Sequence, residues 1–323
     1  MHKAVRTIVI SLVAALLVGC SATRPCPAVS TQADQTVKQP PTASVRLNYL
    51  YLTLDAETLE AISESAFMRE QFCRFGQSTA TVVRRQGWSA TYLLGENTCV
   101  ELLAPGGPEE NIEGNGGICF STVKTGDINV IYDNLRDRLG PDVRKGIRTF
   151  NTGEKNVPWF SYVSPHGGKE IPPLATWVTE QDASFRDALG YRSSHWATPP
   201  GVEAATATQD KTESDMRLLR DITGVTLVLT QAELDRLAAE LSAYGYTRGQ
   251  AGELTVFSGP EFEVRVAISG DPKYRIRSLR CSLTGELNVP AQIEFGGKAT
   301  LTLTENAAAT WTFGPKPQQL ARN

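Results

Sequence analysis

Apolar positions recur along this chain in three rounds of the same order. Residues 45–72, VRLNYLYLTLDAETLEAISESAFMREQF, open on a short run. Leu47, Tyr49, Tyr51 and Thr53 share one face of a strand, and Asn48, Leu50, Leu52 and Leu54 share the other. Neither face is cleanly polar, which predicts a strand covered on both sides. Asp55 follows as a helix cap, and Leu59, Ile62, Ala66 and Phe67 make a helical stripe. In the second round Gly116-Gly117 reads as a turn leading into a β-prone run with Ile118, Phe120 and Val123. Asp127 is the expected N-cap, Ile128, Ile131, Leu135 and Leu139 follow at helical spacing, and Gly140 stops the helix. In the third, Val225, Leu227 and Leu229 share a strand face, and Thr230-Gln231-Ala232-Glu233 forms a capping box. Leu234, Leu237, Leu241 and Tyr244 form the stripe, ended by Gly245.

Strand-like runs follow each helix. TATVVRRQ, SATYLLGE and NTCVELLAP come after the first, and RKGIRTFNT, PWFSYVS and PLATWVTE after the second. ELTVFSG, EFEVRVAI, RIRSLRCSLT, ATLTLTE and AATWTF come after the third. The fold class is therefore α+β, with a recurrent βαβββ unit; the superfamily resemblance described below implies that such units build a curved, mainly antiparallel sheet. Two units occupy 45–195, a linker 196–215, a third unit 216–314 and a tail 315–323. In the architecture that this resemblance implies, two such units close one sheet, so the third lacks a partner. It either packs as a separate C-terminal domain or pairs across a homodimer.

The first residues change the picture. His2, Lys3 and Arg6 precede an apolar run from Thr7 to Val18, the length of a signal h-region and too short to span a bilayer. Leu17-Val18-Gly19-Cys20 resembles a bacterial lipobox, which implies removal of residues 1–19 and lipidation of Cys20. Ser21 rather than Asp in the next position implies an outer-membrane anchor. Residues 20–44 are rich in Pro, Ser, Thr and Gln and read as a flexible tether. Without Lys3 and Arg6, the 32 basic residues fall to 30 against 35 acidic ones, a net charge of −5. That charge, with no basic block, excludes a nucleic-acid partner. The expected partners are the membrane, through the anchor, and a small-molecule ligand.

Three stretches carry a resemblance. LNYLYLTLDAETLEAI, NTCVELLAP and GGICFSTVKTGDINVI resemble the vicinal oxygen chelate superfamily. Over Leu47 to Phe313 the chain resembles an uncharacterised bacterial family of glyoxalase-like proteins. The superfamily resemblance implies four metal-ligand positions. The first-strand histidine falls at Tyr49, the fourth-strand carboxylate at Glu101, the second-module histidine at Gly117 and the final carboxylate at Glu180. Both imidazoles are therefore absent. Two carboxylates alone suit at most a weakly held oxygen-ligated ion, and an un-ionised phenol is a poor ligand, with a pKa of about 10. No cofactor is expected. His166 and His195 lie in Pro- and Gly-rich loops and read as surface histidines. Cys99 and Cys119 could both face the cleft, as a disulfide or as two buried thiols.

What remains of the site is a cleft in which Tyr49, Tyr92, Glu101, Trp177 and Glu180 would meet a small ligand. No catalytic residue is assigned, since there is no G-x-S-x-G elbow, P-loop or dinucleotide fingerprint. The missing imidazoles favour a metal-independent binding lipoprotein over an enzyme. An envelope structural or protein-interaction lipoprotein is one alternative. A metal-dependent lyase, isomerase or dioxygenase with rearranged ligands is another.

Overall fold

The structure is a computed structural model that describes residues 43–82, 85–106, 111–151, 155–167, 171–185, 217–285 and 292–315. The signal segment, Cys20, nearly all of the tether, His195 and the 196–215 linker lie outside the described residues. No helix among the described residues is long and apolar enough to cross a membrane.

The first unit runs β1 (Val45–Thr53), α1 (Ala56–Glu64), a π-helical turn (Met68–Phe72), β2 (Arg74–Val82), β3 (Arg85–Leu94) and β4 (Cys99–Leu103). The second runs β5 (Gly116–Thr122), α2 (Asp127–Leu139), β6 (Arg144–Asn151), β7 (Asn156–Ser164) and β8 (Leu174–Gln181). Together they form one eight-stranded sheet in the order β2-β3-β4-β1-β5-β8-β7-β6. The helix in each unit carries the chain back over the sheet. Thus β1 pairs parallel with β4 and β5 parallel with β8, while β1 and β5 meet antiparallel at the centre.

The third unit is β9 (Leu219–Leu229), α3 (Gln231–Ala243), β10 (Thr247–Ala251), β11 (Leu254–Ser258) and β12 (Glu263–Ile268). The partner it lacked in the sequence reading lies within the same chain. The strands β13 (Ile276–Leu283), β14 (Gln292–Phe295), β15 (Ala299–Thr304) and β16 (Ala308–Phe313) complete a second eight-stranded sheet. Its order, β10-β11-β12-β9-β13-β16-β15-β14, repeats that of the first. This fourth strand set has too short a connection after β13 for a crossover helix. Accordingly β13 and β16 pair antiparallel, where β5 and β8 are parallel.

One face of each sheet is buried in a single shared core. Phe120 of β5 stacks near Tyr244, Tyr246 and Phe262 of the third unit, at 5.3, 5.8 and 6.3 Å. Trp311 lies edge-on to Phe72 at 6.4 Å. The helix stripes predicted from spacing close this core: Ile62, Ile128, Ile131, Leu135, Leu234, Leu237 and Leu241 are all buried in it. Asp55 caps α1, and Thr230 with Glu233 forms the capping box of α3. The α2 cap differs from expectation. Gly126, in the left-handed region, is the N-cap, and Asp127 is the first helical residue. The exposed N–H groups there are met from outside the helix by Glu180, whose carboxylate accepts from Gly126 N at 2.9 Å and Ile128 N at 3.2 Å.

The Cys99–Glu101 cluster on the inner face of the first sheet

A bulge at the centre of the first sheet decides which side chains leave the core. Pairing of β1 with β5 jumps from Leu47↔Phe120 to Tyr49↔Cys119, so Asn48 and Tyr49 both lie opposite Cys119. An extra residue of this kind reverses the alternation of the strand. Val45 and Leu47 therefore share the core face with Leu50 and Leu52. Asn48, Tyr49 and Tyr51 go to the opposite, inner face. Simple alternation had put Leu47 with Tyr49 and Asn48 with Leu50, and the bulge corrects both.

Two registered rows cross the inner face. One is Tyr92–Glu101–Tyr51–Gly117–Ala175, and the next is Leu94–Cys99–Tyr49–Cys119–Trp177. The Tyr92 hydroxyl donates to Glu101 Oε1 at 3.0 Å, with Glu101 only 7% exposed. Trp177 meets Tyr49 edge-on at 5.5 Å and Tyr51 at 5.9 Å. Tyr49, Tyr51 and Trp177 are partly exposed. Farther along, Phe160 and Tyr162 of β7 extend the aromatic surface, and Arg148 of β6 lies over the Tyr162 ring at 5.5 Å. Behind Tyr49 a small polar group is satisfied internally: Asn48 donates to Thr179 Oγ1 at 3.5 Å, and Thr179 meets Ser121 at 3.1 Å.

Burial raises the Tyr49 and Tyr92 phenols and the Cys99 and Cys119 thiols above their ordinary pKa values, and the negative charge of Glu101 adds to the rise in each. These groups stay neutral at physiological pH. Cys73, Cys99, Cys119 and Cys281 are free and buried. Cys99 and Cys119 flank Tyr49 on opposite sides. Their Cα atoms are thus two strand spacings apart, roughly 9.6 Å. A disulfide needs about 4.4–6.8 Å, so of the two readings the geometry selects buried thiols.

Gly117 is not a turn residue. It is the second residue of β5, paired with Tyr51 and buried. A Cβ there would sit 2.9 Å from both Tyr51 Cδ1 and Trp177 Cζ3, and closer still to Tyr51 Cε1. The glycine leaves room for two aromatic rings over the strand. Of the five residues expected in the cleft, Tyr49, Tyr92, Glu101 and Trp177 come together. Glu180 does not: it shares the core-facing side of β8 with Val178 and holds the α2 N-terminus, also accepting from Thr122 Oγ1 at 3.0 Å. Tyr51 is the residue that sequence reasoning passed over. Its identity as a cleft aromatic was readable from its place two residues after Tyr49. His166 is also not the surface histidine expected. Its Nε2 accepts from Thr176 N at 3.1 Å, and burial with the nearby Arg236 charge lowers its pKa to about 3.

Residues 47–313 match the sequence profile of a family of unknown function, DUF5829. The chain belongs to this family. Among curated proteins, none matches the DUF5829 chain. Solved structures give looser likenesses. One is a hypothetical protein from Staphylococcus aureus, 9% identical, covering 82% of this chain and 97% of that one, with a TM-score of 0.46. Another is a xylose isomerase-like TIM barrel/4-hydroxyphenylpyruvate dioxygenase fusion protein, 12% identical, with 77% of this chain and 38% of that one covered and a TM-score of 0.41. A third is a variant of 4-hydroxymandelate synthase from Streptomyces coelicolor, at 15% identity, 72% and 64% coverage and a TM-score of 0.38.

The residues of the DUF5829 chain do not fit the metal centre expected from the superfamily resemblance of its sequence. A transition-metal site takes about four ligands. Glu101 is in place, the Tyr49 phenol is held un-ionised, Gly117 offers no side chain and Glu180 faces the core. Among the described residues no group of three or more His, Cys, Asp or Glu side chains converges.

Proposed function

We propose that this DUF5829 protein is a lipid-anchored binding protein that holds a small molecule on the aromatic inner face of its first sheet without a metal. Cys20 carries the anchor in the outer membrane, and residues 21–44 hold the folded part away from it. Tyr49, Tyr51 and Trp177 supply apolar ring surface, and Glu101 with Tyr92 supplies the polar contact that orients the ligand. The observation that carries this reading is Gly117. The space that a second-module histidine would need is taken by the rings of Tyr51 and Trp177.

The test is elemental mass spectrometry on the full mature chain in detergent, after incubation with Zn, Ni, Mn and Fe(II) and desalting. The expected result is no retained metal. A near-stoichiometric ion that Glu101→Gln abolishes would overturn the reading in favour of a metal-dependent enzyme. Anchoring is checked separately, since Cys20→Ala should release the protein from the membrane fraction. A Cys20→Ala chain that still sediments with the outer membrane would remove the anchor from the proposal.

A further inference from the structure

We propose that the cavity between the C-terminal end of α2, the β7–β8 loop and the middle of α3 is a second ligand site, one that takes an uncharged carboxamide. The cavity has a volume of about 520 Å³, and Asp142, His166 and Arg236 share its wall with the apolar Leu139, Pro165 and Pro172. The site shares no residue with the aromatic face of the first sheet and does not rest on the reading of that face. Thr176 N donates to His166 Nε2 at 3.1 Å. A backbone amide can only donate, so Nε2 holds the lone pair and the proton of the neutral ring sits on Nδ1. Nδ1 is closed to bulk water and has no hydrogen-bond partner among the described residues. Buried donors left unmet are costly, and they are rare in folded proteins.

The second donor of the wall is held in place and its charge is already answered. Arg236 Nε donates to Glu240 Oε1 at 3.0 Å and Nη2 donates to the Pro165 carbonyl at 2.7 Å, which leaves Nη1 without a partner among the described residues. Burial pushes the Glu240 carboxyl up, while the Thr176 hydroxyl and Arg236 draw it down. Ionised, Glu240 neutralises Arg236. Protonated, it leaves Asp142 on the same wall to balance the guanidinium. In neither case is the cavity net positive, so it offers an anion no net attraction. Two donors without net positive charge suit a neutral carbonyl oxygen, which accepts from His166 Nδ1 and Arg236 Nη1. Asp142 is exposed and brings acceptor oxygens to the same wall, which suit an N–H on that ligand. A ketone supplies only the first of these contacts, and a carboxylate supplies it with the wrong charge. An amide supplies both.

The experiment is a long-range proton–nitrogen NMR correlation on the full mature chain in detergent, labelled with nitrogen-15 at histidine. His2 lies in the signal segment, so with that segment removed the chain carries only His166 and His195, and His195→Gln assigns them. Three isosteres are titrated in: isobutyramide, isobutyrate and 3-methylbutan-2-one. Isobutyramide should shift the His166 Nδ1 signal saturably, and the acid and the ketone should bind about tenfold more weakly, the worth of one hydrogen bond to a charged group. Asp142→Ala, at an exposed position, should bring amide and ketone within about twofold by removing that contact. Isobutyrate that binds as tightly as isobutyramide overturns the uncharged class. An amide preference that survives Asp142→Ala, or a ketone that matches the amide in the unmodified protein, overturns the carboxamide. No saturable shift of His166 with any of the three overturns the site itself and leaves the reading of the aromatic face standing.

Discussion

The two sheets repeat one strand order and present opposite chemistries on their inner faces. The first offers Tyr92–Glu101–Tyr51–Gly117 beside Cys99–Tyr49–Cys119–Trp177. The second offers Arg265–Thr226–Ser278–Thr312–Thr300 beside Glu263–Gly224–Arg280–Thr310–Thr302. Each has a glycine on a central strand that makes way for a neighbour. Over Gly117 lie two aromatic rings, and over Gly224 lies the Arg280 guanidinium, which also pairs with Glu263 at 2.7 Å. The second face is what an antiparallel sheet presents to water. The first is half-buried, aromatic and built around one carboxylate. The same backbone device therefore makes room for two aromatic rings in one sheet and for a guanidinium in the other, and the difference lies in a handful of side chains.

The contrast has its largest consequence in alkali. A group whose pKa is raised on folding contributes stability that is present below its unfolded pKa and lost as pH rises towards the folded value. The first face holds four such groups, Tyr49, Tyr92, Cys99 and Cys119. Each should cost roughly 1.4 kcal/mol per pH unit above its unfolded pKa, about 8.5 for a thiol and 10 for a phenol. Cys119→Ser should therefore flatten the fall in denaturant stability between pH 9 and 11 by about one proton's worth. An unchanged slope would mean that the thiol is accessible and the face is open water rather than a shielded surface.

The paired glycines sharpen the comparison at neutral pH. Gly117→Ala drives a methyl group into Tyr51 and Trp177, which are locked against each other, and should cost about 2–3 kcal/mol of unfolding free energy. At Gly224 the obstacle is the Arg280 side chain, whose Nε and Cζ would lie 2.6 and 2.7 Å from the new Cβ. That side chain is 28% exposed and can swing away, so Gly224→Ala should cost under about 1 kcal/mol, the worth of an exposed ion pair. Urea midpoints of the two variants measure this directly. Equal losses would erase the distinction between the faces.

The sequence carried the repeating unit because three helices with clear stripes, two of them with clear caps, punctuated it. The fourth strand set escaped because it has no helix. RIRSLRCSLT, ATLTLTE and AATWTF read as surplus strands of the third unit, when they are half of a second sheet. At the site, Tyr49, Tyr92, Glu101 and Trp177 were legible from strand position and residue type. The face assignments of Leu47 and Asn48 were not, since a bulge inserts one residue without any local residue preference to announce it. Glu180 misled for a related reason. A carboxylate at the end of a strand looks the same in sequence whether it faces a cleft or a helix N-terminus. With Asp127 read as the α2 cap, the sequence called for no second one, and it is the left-handed Gly126 in that place that leaves the cap to Glu180.

A smaller effect separates single hydrogen bonds on the two faces. Tyr92→Phe takes one donor from a buried carboxylate and should cost about 1–2 kcal/mol. Thr310→Val, at a partly exposed position of the second face, should stay within about 0.5 kcal/mol of the parent. If Tyr92→Phe proves as mild as Thr310→Val, Glu101 is better hydrated than its burial implies, and the ligand contact assigned to it weakens with it.

The smallest effect runs in acid and belongs to the second face. Desolvation pushes the Glu263 carboxyl upwards, but hydrogen bonds from Arg280 and Arg265 and their charges outweigh it, so the pKa lies below the ordinary value. A depressed carboxylate contributes stability that is present above its unfolded pKa, about 4.3, and lost as pH falls through the folded value. Because the group is 30% exposed and its partners are at the surface, that contribution should be under about 1 kcal/mol. Glu263→Gln should accordingly match the parent below pH 3 and fall slightly beneath it at pH 7. It should also leave the alkaline limb untouched, because that limb comes from raised thiols and phenols such as those of the first face. A Glu263→Gln variant that altered the alkaline limb would show that the two faces are energetically coupled through the core between them.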